Sequence, residues 1–315
     1  MKRGKLIISA TLAFCAVAAT SSPFVLQKSL PPVATFRSSI DLVRVSAVVR
    51  DKKGRFVQDL TVRDFEVLDG GLSRRITDFR KDLSGISLAL LFDVSGSMES
   101  QMEQAREAAL HVLSWLDNRD ETAIYTFDTQ LDEVAPFTPG LRRLPTELSR
   151  VTPFGATSLN DAIARTAERL GSQEGRRRAV VVFTDGRDNA SRLTTLEVST
   201  LASSIDVPVY VVEVVAGIDN PTAETAAIGP RSSALAGALK DLAHATGGAT
   251  FVVSGPAERS TIARRIVDEL RHQYLIAFES SGQPGWHPLV VRSRAKDLTV
   301  RARSGYVAGQ SRPRS

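Results

Sequence analysis

Residues 86–102 have the sequence ISLALLFDVSGSMESQM, and the predicted fold follows from this stretch. It opens with an apolar run from Ile86 to Phe92, which is typical of a strand buried on both faces of a parallel sheet. Asp93 follows at once, before a short loop of small polar residues. Apolar side chains then recur at helical spacing from Met102 to Leu116. The stretch therefore predicts a strand, a polar loop and a helix.

The same alternation continues along the chain. Predicted strands cover residues 122–127, 179–183, 207–215 and 250–253, and predicted helices cover residues 158–170, 196–205, 232–246 and 257–272. Strands that alternate with helices imply parallel pairing through right-handed crossovers. We therefore predict an α/β fold over residues 84–272, with a doubly wound, mostly parallel sheet and helices on both faces.

The two flanks of this region have a different pattern. Residues 36–80 and 273–308 contain short alternating strands without a helical period, and Asp69-Gly70-Gly71 is a strong hairpin signal. Neither flank has enough strands to bury a core alone. We predict that the flanks pair into one small all-β sandwich, with the α/β domain inserted between them. Residues 309–315 are expected to be a disordered tail.

The amino terminus has the pattern of an export signal. A short basic segment precedes an apolar stretch, and Ala16-Val17-Ala18 supplies the small residues that signal peptidases require. Residues 1–18 therefore predict a signal peptide, followed by a linker over residues 19–35, and a periplasmic or secreted protein. The apolar stretch is shorter than the roughly 20 residues of a membrane span, so we expect no stable span after cleavage. Lipidation of Cys15 stays open, although Phe14 is bulky for a lipobox.

Composition argues against several classes of protein. Hydrophobic residues at 43% and charged residues at 24% are typical of an ordinary globular protein. A single cysteine excludes a disulfide framework and a Cys-rich zinc site. The chain has 40 Lys and Arg against 35 Asp and Glu. Three of the basic residues lie in the predicted signal peptide, so the mature chain is nearly neutral and we expect no nucleic-acid partner.

Polar side chains follow the predicted strands at the sheet edge where α/β proteins bind ligands. They are Asp93, Ser95, Ser97, Thr157 and Asp185. Two carboxylates and three hydroxyls, without His or Cys, form a hard oxygen set that suits Mg²⁺, Mn²⁺ or Ca²⁺ and disfavours zinc and copper. We expect Mg²⁺, with Mn²⁺ as the alternative and Ca²⁺ least favoured. Two aspartates neutralise the dication and leave it able to accept a carboxylate, so the predicted partner is a protein that presents an acidic side chain.

Three motifs together resemble the metal-ion-dependent adhesion site of von Willebrand factor type A domains. They are Asp93-x-Ser95-x-Ser97, Gly155-x-Thr157 and Thr184-Asp185-Gly186. The resemblance covers about residues 84–272. It implies that Ser95, Ser97 and Thr157 bind the ion directly or nearly so, and that the two aspartates bind it directly or through water. The flanks also resemble a bacterial exported family built around this domain, through residues 54–61, 64–65, 273–274 and 303–306.

Each motif also has a purely structural explanation. Ser97 is placed to cap the helix that follows it. Ser158 with Asp161 fits a capping box. Asp185-Gly186 fits an ordinary turn. Each explanation suffices for its own motif, but together they leave unexplained why carboxylates and hydroxyls gather at one sheet edge.

We expect Asp93 to lie at the rim of the site and Met98, Phe154 and Arg187 to shape specificity. Asp188 and Asn189 are interpreted as solvated loop residues, with a position behind the ligands or at the rim of the site as the alternative. The run Arg176-Arg177-Arg178 is able to bind phosphate, although such a run is more often a solvated loop.

The predicted function is an exported, divalent-metal-dependent module that binds a protein in adhesion or assembly, and not an enzyme. No G-x-S-x-G motif surrounds Ser95 or Ser97, the chain lacks P-loop and H-E-x-x-H motifs, and no general base is evident. A structural or assembly protein in which the metal only stabilises the loops is the alternative. A metal-dependent hydrolase is the least favoured alternative. The sequence does not predict an oligomeric state.

Overall fold

The computed structural model describes residues 42–173, 175–215 and 230–309. One sheet is formed by β5 (Ile86–Asp93), β6 (Glu121–Phe127), β7 (Leu131–Pro139), β8 (Arg177–Thr184), β9 (Val209–Val214) and β10 (Thr250–Val253). Their order is β10-β9-β8-β5-β6-β7. All pairs are parallel except that of β7 with β6. Every residue of β5 is buried, as expected of a strand covered on both faces.

Helices cover both faces of this sheet. They are α1 (Met102–Trp115), α2 (Thr146–Arg150), α3 (Leu159–Gly171), α4 (Thr195–Ser204), α5 (Pro230–Ala245) and α6 (Pro256–Arg271). Side chains of α1 and α6 share a core with Phe92 and Phe183 on one face. Side chains of α3, α4 and α5 share a second core with Leu91 and Val182 on the other face.

The flanking strands form two further sheets. They are β1 (Leu42–Asp51), β2 (Phe65–Asp69), β3 (Leu72–Arg74), β4 (Ile76–Lys81), β11 (Gln273–Glu279), β12 (Gly285–Ser293), β13 (Leu298–Arg301) and β14 (Gly305–Ala308). The orders are β13-β1-β11-β4 and β14-β12-β2-β3. Each sheet mixes both flanks, because β1 pairs with β11 and β2 pairs with β12. Val45, Phe65 and Tyr274 belong to the core that the two sheets share.

The predicted fold class is confirmed, while some elements were not foreseen. The strands β7 and β14 and the short helix α2 have no counterpart in the sequence-based prediction. The strand β7 contains Pro136 and Pro139 and has no fully buried residue, so its pattern gives only a weak strand signal. After the hairpin of β2 and β3, the chain passes from one sheet to the other at Arg75, between β3 and β4.

Several predictions concern residues that the structure does not describe. The signal peptide, the linker, Cys15 and residues 310–315 of the tail lie outside the described ranges. The longest helices in those ranges, α5 and α6, have 16 residues each. Within the same ranges, no helix combines the length and the apolar character that a membrane crossing requires.

Candidate metal site

The candidate site lies where the order of the parallel strands reverses. The strand β5 has β6 on one side and β8 on the other. The connections that follow β5 therefore lead to opposite sides of this strand. Loops at the carboxyl ends of such strands diverge and leave a crevice. Asp93 ends β5, and Asp185 directly follows β8. The fold therefore places both aspartates at this crevice.

Hydrogen bonds join the loop after β5 to the loop before α3. The Gly96 amide donates to the Gly155 carbonyl at 3.2 Å, and the Phe154 amide donates to the Val94 carbonyl at 2.9 Å. Gly155 has a φ of 86°, in the left-handed region that favours glycine. The loop that carries Thr157 is in this way held against the loop that carries the two serines.

Asp93 is fully buried, with 0% of its surface exposed. Its Oδ1 accepts a hydrogen bond from the Ser95 amide at 2.9 Å, and its Oδ2 accepts one from the Thr184 hydroxyl at 2.7 Å. Loss of hydration is the main cause that raises the pKa of Asp93 to about 6, and the charge of Asp185 raises it further. The hydrogen bonds from Ser95 and Thr184 lower the pKa but do not offset this rise. The expectation that Asp93 lies at the rim is wrong, because the carboxylate lies beneath the surface.

Two serine hydroxyls of the loop after β5 lie close together. The Oγ atoms of Ser95 and Ser97 are 3.3 Å apart. Ser97 belongs to a short 3-10 turn, whereas α1 begins at Met102 without a side-chain cap. Ser97 therefore does not cap α1, and its hydroxyl stays half-buried at the sheet edge.

The expected capping box at the start of α3 is also absent. Ser158 precedes α3 but accepts no capping hydrogen bond. The Asp161 carboxylate instead accepts hydrogen bonds from the amides of Arg192 and Leu193, at 3.1 and 2.9 Å. Asp161 therefore ties α3 to the loop after β8.

Asp185 does form the turn that the sequence allows. Its Oδ1 accepts a hydrogen bond from the Arg187 amide at 3.1 Å, and Gly186 has a φ of 81°. The Arg187 side chain is largely exposed, and its Nε lies 3.2 Å from Asp185 Oδ2. The turn holds the carboxylate at the crevice, so the structural explanation and a ligand role are compatible here.

Asp188 and Asn189 support the Thr157 loop. The Asn189 side-chain oxygen accepts from the Thr157 amide at 2.8 Å, and the Thr157 carbonyl accepts from the Asn189 amide at 3.0 Å. The Asp188 carboxylate accepts from the Asn160 amide in the first turn of α3 at 3.0 Å. The interpretation of both residues as merely solvated is therefore wrong.

Two polar residues of the site were not among the candidate ligands, although Thr184 belongs to one of the three motifs. The Thr184 hydroxyl donates to Asp93 and accepts from the Gly186 amide at 3.0 Å. Glu213 lies beside Thr184 in the register of β8 and β9, and burial, with a smaller contribution from Asp185, raises its pKa. A charged residue inside the apolar run VYVVEV of β9 is the sequence signal for Glu213.

Of the three residues expected to shape specificity, two are exposed and one is buried. Phe154 is 82% exposed and Arg187 is also exposed, so both are accessible to a partner. Met98 is buried in the core beneath α1, which makes its predicted role in specificity wrong.

The donor set fits a hard divalent cation. Asp93 has no cationic side chain within salt-bridge distance among the described residues, and Asp185 adds a second negative charge nearby. Within the same residues, no group of three or more His, Cys, Asp and Glu side chains is arranged to hold a metal. Hydroxyl oxygens would have to complete the shell, and such oxygens are ligands that Mg²⁺ accepts together with water.

A family model described as the von Willebrand factor type A domain matches residues 88–187. This stretch contains all five candidate ligands, and the chain therefore contains a von Willebrand factor type A domain. No curated protein shows significant sequence similarity to the chain.

Several solved structures are similar to this chain. One is an aerotolerance-related membrane protein from Bacteroides fragilis, with 19% identity over 59% of this chain and 98% of that chain and a TM-score of 0.46. The protein BatB from Bacteroides thetaiotaomicron has 17% identity over the same shares and a TM-score of 0.46. A von Willebrand factor type A protein from Catenulispora acidiphila has 13% identity over 87% of this chain and 76% of that chain, with a TM-score of 0.45.

Proposed function

We propose that this chain is an exported binding protein whose type A domain uses Mg²⁺, or Mn²⁺ in its place, to bind an acidic side chain of a partner protein. The observation that carries the proposal is the Asp93 carboxylate, which is buried without a cation among the described residues. A buried charge of this kind is unfavourable until an opposite charge compensates it. Asp93, Asp185 and the hydroxyls of Ser95, Ser97 and Thr157 would hold the ion.

The metal is proposed to bind a partner and not merely to stabilise the loops. Hydrogen bonds join the loops directly, through Gly96 and Gly155 and through Thr157 and Asn189. These bonds contribute to holding the loops together, which supports a role of the ion in binding a partner over a purely structural one.

A carboxylate is the partner group that this site favours. When bound, the ion would be held by Asp93 and Asp185 and would keep a coordination position open toward the surface. A carboxylate oxygen of a partner is a ligand that a hard divalent cation accepts at such a position. Arg187 lies at the surface next to Asp185 and adds attraction for an acidic partner. Phe154 offers an exposed apolar surface to the residues beside that acid.

The proposal is of a binding protein and not of an enzyme. Two of the histidines have partners in the β-sandwich region: His272 stacks on Phe56, and His287 lies 3.0 Å from Asp69. Neither supplies a general base beside Asp93, and hydrolysis at a metal would need a base placed near the reacting water.

Selection from a random peptide display library tests this function. The immobilised chain is presented with Mg²⁺ or with EDTA, beside Asp93→Asn and the matched control Asp132→Asn, whose carboxylate is exposed on β7. Peptides enriched on the wild-type chain and on the control with Mg²⁺ should contain Asp or Glu, and EDTA or Asp93→Asn should abolish the enrichment. Enriched peptides without carboxylates, or enrichment that persists in EDTA, would refute the proposal.

A further inference from the structure

A basic cleft lies at the amino ends of the parallel strands, opposite the candidate metal site. A cleft of about 610 Å³ opens between the β-sandwich and the amino end of β8. Six arginines line it: Arg44, Arg80, Arg176, Arg177, Arg178 and Arg303. Only two carboxylates, both aspartates, lie among the lining residues. The cleft is therefore strongly basic, although the whole chain has a formal net charge of only +5.

Some of these arginines already have carboxylate partners. The Arg176 Nε lies 3.3 Å from Glu121, and the Arg303 Nε lies 3.4 Å from Asp206. Arg44 on β1 and Arg80 on β4 are exposed, and their side chains form no ion pair or hydrogen bond with another described residue. These two guanidinium groups are available to a ligand in the cleft.

Arg177 provides the strongest support for an anion site in this cleft. It is only 6% exposed, and its guanidinium donates to main-chain carbonyls, at 3.0 Å to Leu270, at 3.2 Å to Asp82 and also to Ser84. No carboxylate of the described residues lies within 4 Å of it, and its Nε lacks a hydrogen-bond partner among them. Burial accordingly lowers the pKa of this guanidinium. The more distant charges of Asp82 and Asp120 compensate this cation only in part, so an anion bound nearby would stabilise it.

The walls of the cleft indicate the chemistry of that counterion. Arginine binds carboxylate and phosphate groups through paired hydrogen bonds. Leu42, Ile205 and Leu275 add apolar surface, and the volume is in the range of sites for small organic molecules. We propose that this cleft binds a small organic polyanion through its phosphate or carboxylate groups, with Arg44, Arg80 and Arg177 as the principal contacts. The sequence-based interpretation of residues 176–178 as a solvated loop is thus wrong, because Arg177 is buried.

Calorimetric titration with pyrophosphate and with citrate tests this site. Both titrations are performed on metal-stripped protein in buffer treated with a chelating resin, so that the candidate metal site does not contribute and no other polyanion is present. The wild-type chain should bind at least one of the two saturably, and Arg44→Gln/Arg80→Gln should weaken that binding by roughly tenfold or more. Binding of pyrophosphate alone would assign the site to phosphates, and binding of citrate alone would assign it to carboxylates.

The matched control is Arg143→Gln, which removes an exposed arginine outside the cleft. Its affinity should equal that of the wild-type chain at the same ionic strength. The single variants Arg44→Gln and Arg80→Gln replace the double variant if circular dichroism shows that the latter is unfolded. Absence of saturable binding of both anions, or equal affinity of the wild-type chain and the cleft variants, would overturn the proposal.

Discussion

Asp93 combines full burial with a carboxylate that has no cation beside it among the described residues. Buried acids in proteins are almost always paired. Hydrogen bonds from Ser95 and Thr184 offset only part of the lost hydration, since the pKa still rises from 3.8 to about 6. A rise of this size corresponds to on the order of 3 kcal/mol of destabilisation when Asp93 is charged. A charged Asp93 is therefore unfavourable in this position unless a cation compensates it.

Replacement of Asp93 by Asn should stabilise the metal-free protein near neutral pH. The folded pKa of Asp93 lies above the unfolded value, so its stabilising contribution is present below about pH 4 and is lost as the pH rises through about 6. Asn removes the charge while keeping the shape of the side chain. We expect a free energy of unfolding up to about 3 kcal/mol higher for Asp93→Asn at pH 7 than for the wild-type chain.

Urea unfolding in EDTA at about pH 4 and pH 7 measures this difference. The gain from Asp93→Asn should be much smaller at the lower pH, where the wild-type carboxyl is protonated in the folded state. Asp132→Asn, at an exposed position, serves as the control and should show little change at either pH. A gain that does not depend on pH would show that burial of the charge is not its cause.

The sequence was sufficient to identify candidate metal ligands but not how deeply each side chain is buried. Asp93 follows an apolar strand, so its position at the sheet edge is a local property of the sequence. Its complete burial depends on Thr184, which belongs to a different strand. Met98 lies in the core for the same reason, because the packing of α1 against the sheet decides which loop residues face inward.

Among the secondary-structure elements, α6 is held to the β-sandwich by one buried acid. Glu269 is fully buried, and its carboxylate pairs with Arg50 of β1 at 2.9 Å and with Arg301 of β13. Arg265 of α6 itself lies 3.6 Å away. The last helix of the α/β layers is thus connected to both flanks by charge.

Replacement of Glu269 by Gln should destabilise the protein by about 3 kcal/mol, because the partly buried side chains of Arg50 and Arg301 would lose their counterion. Urea unfolding followed by circular dichroism measures the change. The matched control is Asp297→Asn, which disrupts an exposed ion pair with Lys52 and should have little effect. Equal stability of Glu269→Gln and the wild-type chain would show that the ion pairs do not hold α6.

Periodicity predicted most of the central elements, because each buries a regular face. It failed where burial is partial or irregular. The edge strand β7 has exposed residues and prolines, so no face repeats. Arg177 was misinterpreted for another reason, since its burial results from the carbonyls of Asp82, Ser84 and Leu270, which are distant in sequence.

Across the whole molecule, the sandwich and the α/β layers are connected by buried polar contacts. The Arg303 guanidinium, next to β14, donates to the carbonyls of Ser203 and Ser204 at the end of α4. It also donates to the Arg44 carbonyl in β1. Unfolding of either part would break these hydrogen bonds and expose the surface that the two parts share, so the two parts should unfold together.

The two tryptophans of the chain allow this to be measured. Trp115 ends α1 in the α/β layers, and Trp286 lies on β12 in the sandwich. The variants Trp115→Phe and Trp286→Phe each leave one fluorescent reporter. We expect both reporters to give the same urea midpoint after correction for the stability of each variant by circular dichroism. Two separate midpoints would show that the parts unfold independently.

A calorimetric titration of the purified chain with Mg²⁺ near neutral pH tests the proposed metal site without any partner protein. Asp93→Asn and Asp132→Asn are titrated in parallel, and Mn²⁺ is used as a second ion. We predict saturable binding of one ion to the wild-type chain and to Asp132→Asn, and no binding to Asp93→Asn. Equal binding to all three chains, or no binding to any of them, would contradict the inference that Asp93 and its neighbours form a metal site.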